Sequence, residues 1–129
     1  MWLFVGIGGF IGSILRYGVS EVFANTSVHS FPYATLTVNI IGSFFLAFLT
    51  SYFYDRTFRT SPFYIGICTG LIGSFTTFST FSMETVQLWR ENEYFLAICY
   101  VGLSIFIGLY VSYFGVQLGK IARKKESGL

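Results

Sequence analysis

The chain has 129 residues, of which 53% are apolar, 21% aromatic and only 11% charged, with a formal net charge of +2. Charges normally make up about a quarter of a soluble domain, and sixteen Phe with nine Tyr are more than one small aqueous core hides; a secreted mini-protein and a disordered chain are excluded, and little room is left for a soluble catalytic domain. A membrane protein remains, and since each crossing takes about 20 apolar residues to span roughly 30 Å of hydrocarbon, this length holds at most about four.

The first apolar segment runs over residues 2–23 and is closed by the polar stretch 25–30 and Pro32. It has no basic leader region or small-residue cleavage site, and Gly and Arg16 interrupt it, so it is expected to be a retained spanning helix. Gly8-x-x-x-Gly12 and Gly9-x-x-x-Ser13 offer the small-residue spacing that lets helix backbones approach closely in lipid. Arg16 is costly in hydrocarbon, so it faces protein, water or an ion in a vestibule, or else it snorkels to the interface or pairs with Glu84.

The second segment covers 33–54 and stops at Asp55-Arg56. Within it Asn39 has no charged neighbour in sequence; its amide can tie two helices together or donate to an anion, and spacing alone favours the tie.

The third segment, 62–88, starts at Pro62, which suits the first turn of a helix. It carries Gly66-x-x-x-Gly70 and then a run rich in Gly, hydroxyl and β-branched residues from Gly70 to Ser82, which disfavours helix continuity. A break is expected between Gly73 and Thr77, freeing carbonyls at membrane depth; such carbonyls are tolerated only when buried in protein, lining water or coordinating a cation. Beyond the break, Phe78 and Phe81 share a helical face, an arrangement that packing alone also produces.

The fourth segment, 94–118, places Tyr100 and Ser104 at i and i+4, a hydroxyl pair that either lines a pore or bonds between helices. Cys68 and Cys99 lie in apolar runs and read as small buried hydrophobes, not as a disulfide framework. The basic tail of Lys120, Arg123, Lys124 and Lys125 reads as a topology anchor or a contact with anionic lipid, with no nucleic-acid partner.

Short connections make consecutive helices antiparallel neighbours, giving one four-helix transmembrane domain over 1–129, an all-α membrane fold. Arg56, Arg59 and the four tail cations flank one side and Arg90 the other, so the positive-inside rule puts both termini in the cytoplasm.

Taken together, these residues resemble the Fluc (CrcB) family of bacterial fluoride channels across essentially the whole chain. The resemblance is carried by Leu15-Arg16-Tyr17, by Thr35-Leu36-Thr37-Val38-Asn39 with Gly42-Ser43, and above all by Thr76-Thr77-Phe78-Ser79-Thr80-Phe81-Ser82 with Glu84-Thr85. It implies a cell-membrane channel exporting fluoride down its gradient, built as an antiparallel dual-topology dimer. The resemblance further implies an ion path lined by Asn39, Phe78, Phe81, Ser79, Thr80, Tyr100 and Ser104, and it assigns Arg16 and Glu84 to the vestibules. A sodium ion at the dimer centre would be held by main-chain oxygens of Gly73 and Thr76. Gly108 stands where a further Ser is expected, and a heterodimer with a homologous chain is the alternative to a homodimer.

The competing reading is a small dual-topology multidrug or cation exporter, which needs a carboxylate deep in a helix. An enzyme is disfavoured, because the lone His29 lies in a loop and no catalytic or metal-ligand spacing appears. A third possibility is a structural subunit of a larger complex, which would be inactive alone.

Overall fold

The computed structural model describes residues 1–24, 31–53 and 56–126; the expected polar stretch 25–30 with His29, and the expected stop at residues 54–55, lie outside the described residues. Every regular element among the described residues is helical: α1 (Trp2–Ala24), α2 (Tyr33–Tyr52), α3 (Arg56–Arg59), α4 (Pro62–Ile65), a π-helical stretch (Gly66–Ile72), α5 (Gly73–Phe75), α6 (Phe78–Arg90) and α7 (Tyr94–Glu126). Four helical spans are long and apolar enough to cross a membrane: Trp2–Ala24, Tyr33–Tyr52, Pro62–Arg90 and Tyr94–Glu126.

Local chemistry explains where these spans start and stop. The third opens with Ser61 as N-cap, its hydroxyl accepting from the Tyr64 amide at 3.3 Å, and Pro62 in the first turn. It leaves the helix at Thr76 (φ −81°, ψ 158°) and Thr77 (φ −150°, ψ 124°), and resumes at Phe78 because the Thr77 hydroxyl accepts from the Thr80 amide and caps the new N-terminus. The turn into α7 is a Schellman motif: Glu93 N–H reaches Leu88 O at 2.9 Å, Asn92 N–H reaches Trp89 O at 3.2 Å, and Asn92 takes a φ of 63°. Asn is one of the few residues that tolerates that left-handed conformation.

Span α7 extends to Glu126, eight residues past the expected end at 118. The hydropathy ends at the membrane edge, yet Lys120, Ala122, Arg123, Lys124 and Lys125 are mostly strong helix formers, and the cations in the last turn complement the helix dipole. The Tyr52 hydroxyl donates to the Glu126 carboxylate and ties this extension to the end of α2. That end is also closed by Arg59, whose guanidinium donates to the carbonyls of Phe53 and Thr50.

The helices associate as two close pairs, α1 with the first half of the third span and α2 with α7. In the first pair a Cβ on Gly8 would lie 2.3 Å from Gly66 O, and one on Gly70 would lie 2.6 Å from Val5 O. The spacing Gly9-x-x-x-Ser13 does not pack in this way: Gly9 has open space at its Cβ position, and its carbonyl instead accepts from Ser74 and Ser13 at 2.9 Å each. The second pair uses Gly115 and Gly119, whose Cβ positions lie 2.7 Å from Phe44 O and 2.6 Å from Phe48 O. This seam obeys the same four-residue rule, which the sequence reading did not apply there.

Since neither backbone can yield locally, Gly8→Leu should separate α1 from the third span and cost at least the 1–3 kcal/mol or so typical of overpacking. Size-exclusion chromatography of detergent-purified protein should show loss of the folded peak, whereas Gly102→Ala, at a position with open space, should elute as wild type. A Gly8→Leu protein with unchanged yield and melting temperature would contradict the seam.

Candidate functional site

The break in the third span is held by α2. Asn39 Nδ2 donates to Thr77 O at 2.9 Å, and Thr77 N–H donates to Asn39 Oδ1 at 2.8 Å, so one side-chain amide satisfies both main-chain groups of an extended residue. The break thereby deprives two carbonyls of the amides a continuous helix would give them. Thr77 N–H, four residues after Gly73, is committed to Asn39, and Thr80 N–H, four after Thr76, is committed to the Thr77 hydroxyl at 3.2 Å. Among the described residues no group of three or more His, Cys, Asp or Glu side chains could hold a metal.

Beside the break, a cavity of about 360 Å³ opens between α2, the third span and α7. Its lining brings together Asn39, Gly73, Thr76, Phe78, Phe81 and Ser104 of the expected set, and adds Ser43, Cys68 and Thr77. The rings of Phe78 and Phe81 lie 5.8 Å apart between centroids, tilted by 35°. Phe78 is 79% exposed, so the chain by itself leaves this side of the cavity uncovered.

The remaining expected residues lie outside the cavity lining. The Thr77 hydroxyl donates to that of Thr80 at 2.9 Å and lies within hydrogen-bond distance of that of Ser79 at 3.3 Å. Tyr100 is fully buried behind Phe81, with ring centroids 5.0 Å apart, in the cluster that includes Leu88 and Ala97. Its hydroxyl donates to Glu84 Oε2 at 2.8 Å while Thr35 Oγ1 donates to Glu84 Oε1 at 2.8 Å. The half-buried Glu84 carboxylate is therefore held by two hydroxyls from α2 and α7, and among the described residues no ion pair joins it to Arg16. Pairing of Arg16 with Glu84 is thus not what the fold uses. Thr35 as partner of Glu84 has no local sequence signal, because the two are 49 residues apart.

Chemically the cavity offers the Asn39 amide, the Ser104 and Ser43 hydroxyls and the positive edges of two aromatic rings. Ser104 donates back to Tyr100 O at 2.7 Å, an internal bond that an anion would compete with. No cationic side chain lines it.

A family model described as CrcB-like protein, Camphor Resistance (CrcB), matches residues 3–116. A Bacillus cereus protein named fluoride-specific ion channel FluC 1 is 47% identical over 126 residues, covering 98% of this chain and 88% of that protein. Fluoride-specific ion channel FluC of Oceanobacillus iheyensis is 43% identical, with 96% of this chain and 95% of the relative covered. The protein of the same name from Elusimicrobium minutum is 41% identical, with 91% of each covered.

Proposed function

The chain belongs to the CrcB family, and from that premise we propose that it is a fluoride-selective channel, a multi-pass protein of the cell membrane that lets cytoplasmic fluoride leave down its electrochemical gradient. The observation that carries this reading is the cavity where Asn39, Phe78, Phe81 and Ser104 meet at the interrupted helix. Fluoride is small and strongly hydrated, so a selective path must replace water with short, directed donors. Amide, hydroxyl and ring-edge groups supply them without a fixed cation that would trap the ion.

The path is completed by a second copy in the opposite orientation. That copy would cover the exposed Phe78 ring and, with its own Gly73 and Thr76, would give four carbonyl oxygens around a sodium ion at the dimer centre. The two carbonyls of each chain suit this, because their helical amide partners are committed to Asn39 and Thr77 and a hard cation takes oxygen ligands. The helix break then sits near mid-membrane. Ser79 and Thr80, whose hydroxyls meet that of Thr77, line the path with Tyr100 beside it behind Phe81, and Arg16 and Glu84 belong to its approaches.

Purified protein in liposomes should release fluoride under a potassium diffusion potential and retain chloride, read with ion-selective electrodes. No fluoride release would overturn the channel; efflux of organic cations driven by a proton gradient would establish the exporter instead. Dual topology has its own test, with a cysteine placed at Ser127, just outside the described residues, and Cys68 and Cys99 replaced. An impermeant reagent on intact cells should label about half of the copies, despite the cationic bias of that end. Absence of external labelling in cells that resist fluoride with no second homologous chain would exclude the antiparallel homodimer.

A further inference from the structure

Below the cavity already described, a second one of about 450 Å³ lies between α2 and α7, and the two share Ser43 and Leu46 as lining residues. Two helical faces run from one into the other. On α2, Asn39, Ser43, Ala47 and Thr50 follow at steps of three and four, and on α7, Ser104, Ser112, Val116 and Lys120 lie on one line of four-residue spacing with Gly108 between them. The hydroxyls of Ser43 and Ser112 make no hydrogen bond among the described residues, which leaves both able to donate to water or an anion. At its outer end the second cavity is lined by two cations, Arg59 and the exposed Lys120. Arg59 is fixed there by its bonds to the Thr50 and Phe53 carbonyls, so its charge is held in place although part of its donor capacity is used.

Resting on the channel reading above, we propose that this second cavity is the mouth of the ion path, where Arg59 and Lys120 concentrate small hard anions and the hydroxyls of Ser112 and Ser43 lead them to the Phe78 and Phe81 rings. The cations stand at the rim, where water screens them, and the inner cavity has none. Attraction there raises the local anion concentration without trapping the ion at the constriction. Glu126 lies beyond the rim and is engaged by Tyr52. In an antiparallel dimer each side of the membrane would have one such mouth.

The charge at the rim can be changed after the protein has folded, which avoids altering its insertion. In full-length protein with Cys68 and Cys99 replaced, Lys120→Cys is reconstituted and treated with a cationic or an anionic methanethiosulfonate reagent. At about 10 mM salt, where screening is weak, fluoride flux under the cationic adduct should exceed that under the anionic one by about threefold, and the ratio should approach one near 1 M salt. The same pair of reagents at Ile121→Cys, exposed and a helical step off that line, should give a ratio near one throughout. Equal flux under both adducts of Lys120→Cys at low salt, or an equal ratio at Ile121→Cys, would overturn the mouth while leaving the channel intact. A reconstituted chain that carries no fluoride before labelling would overturn the channel reading, and the mouth with it.

Discussion

Phe78→Ile and Phe81→Ile should each lower fluoride flux about tenfold or more in liposomes, but only the second should also destabilise the protein. A ring edge carries the positive part of the aromatic quadrupole and attracts an anion, which a branched aliphatic chain does not, and a loss of about 1.36 kcal/mol on the barrier is enough for a factor of ten. Where the two rings differ is in what stands behind them. Phe81 packs on the buried Tyr100 ring, which in turn donates to Glu84, so its loss loosens the junction of α6 and α7. Phe78 is 79% exposed and meets the Phe81 ring at 5.8 Å between centroids, but it is not packed against the buried cluster of Leu88, Ala97 and Tyr100. Thermal unfolding in detergent should therefore show a lowered Tm for Phe81→Ile and an unchanged one for Phe78→Ile, with flux reduced in both. The lipid-facing control Phe106→Leu, at a position 75% exposed, should leave both readings unchanged. Wild-type flux through both ring variants would remove the aromatic pair from the path.

The parts of this fold that sequence reading recovers are those governed by local rules. Hydropathy gives four spans whose starts differ from the structure by at most a residue, because water to lipid is the sharpest change of environment the chain meets. The Gly- and Thr-rich run marks the segment in which Thr76 and Thr77 are extended, since poor helix propensity is itself local. The far end of α7 escapes the same reasoning: solvation changes near residue 118, while helix propensity and dipole complementarity do not.

The contacts of the site were legible only in part, and the reason is sequence distance. Asn39 could be singled out as a polar group needing partners, and tying helices was one of its two open roles. That it spends one N–H and its carbonyl oxygen on Thr77 depends on how α2 crosses the third span. Glu84 shows the converse. An oppositely charged Arg16 is the partner electrostatics suggests, yet two hydroxyls brought by α2 and α7 satisfy both carboxylate oxygens. Hydroxyl donors make that exchange feasible at a half-buried position without the desolvation cost of a second buried charge.

Asn39 both holds the helix break and lines the cavity proposed as the ion path, so its substitution should have the broadest effect of any single change. In Asn39→Leu, Thr77 N–H and C=O both lose their partner next to a helix break, at a cost of about 1–3 kcal/mol for each main-chain group left unsatisfied. The break loses its fixed geometry, and with it the positions of the Gly73 and Thr76 carbonyls; flux and thermal stability should fall together. Asn39→Asp separates the two losses. An ionised carboxylate can still accept from Thr77 N–H, but it cannot donate to Thr77 O and sets an oxygen against it where Nδ2 now lies at 2.9 Å. It also places a negative charge in the lining of the cavity proposed as the anion's path. Fluoride flux through Asn39→Asp should therefore be at or near background even in protein that still elutes as a folded species. Undiminished flux in Asn39→Asp would show that the ion passes elsewhere, and unchanged stability in Asn39→Leu would show that the Thr77 bonds do not hold the break.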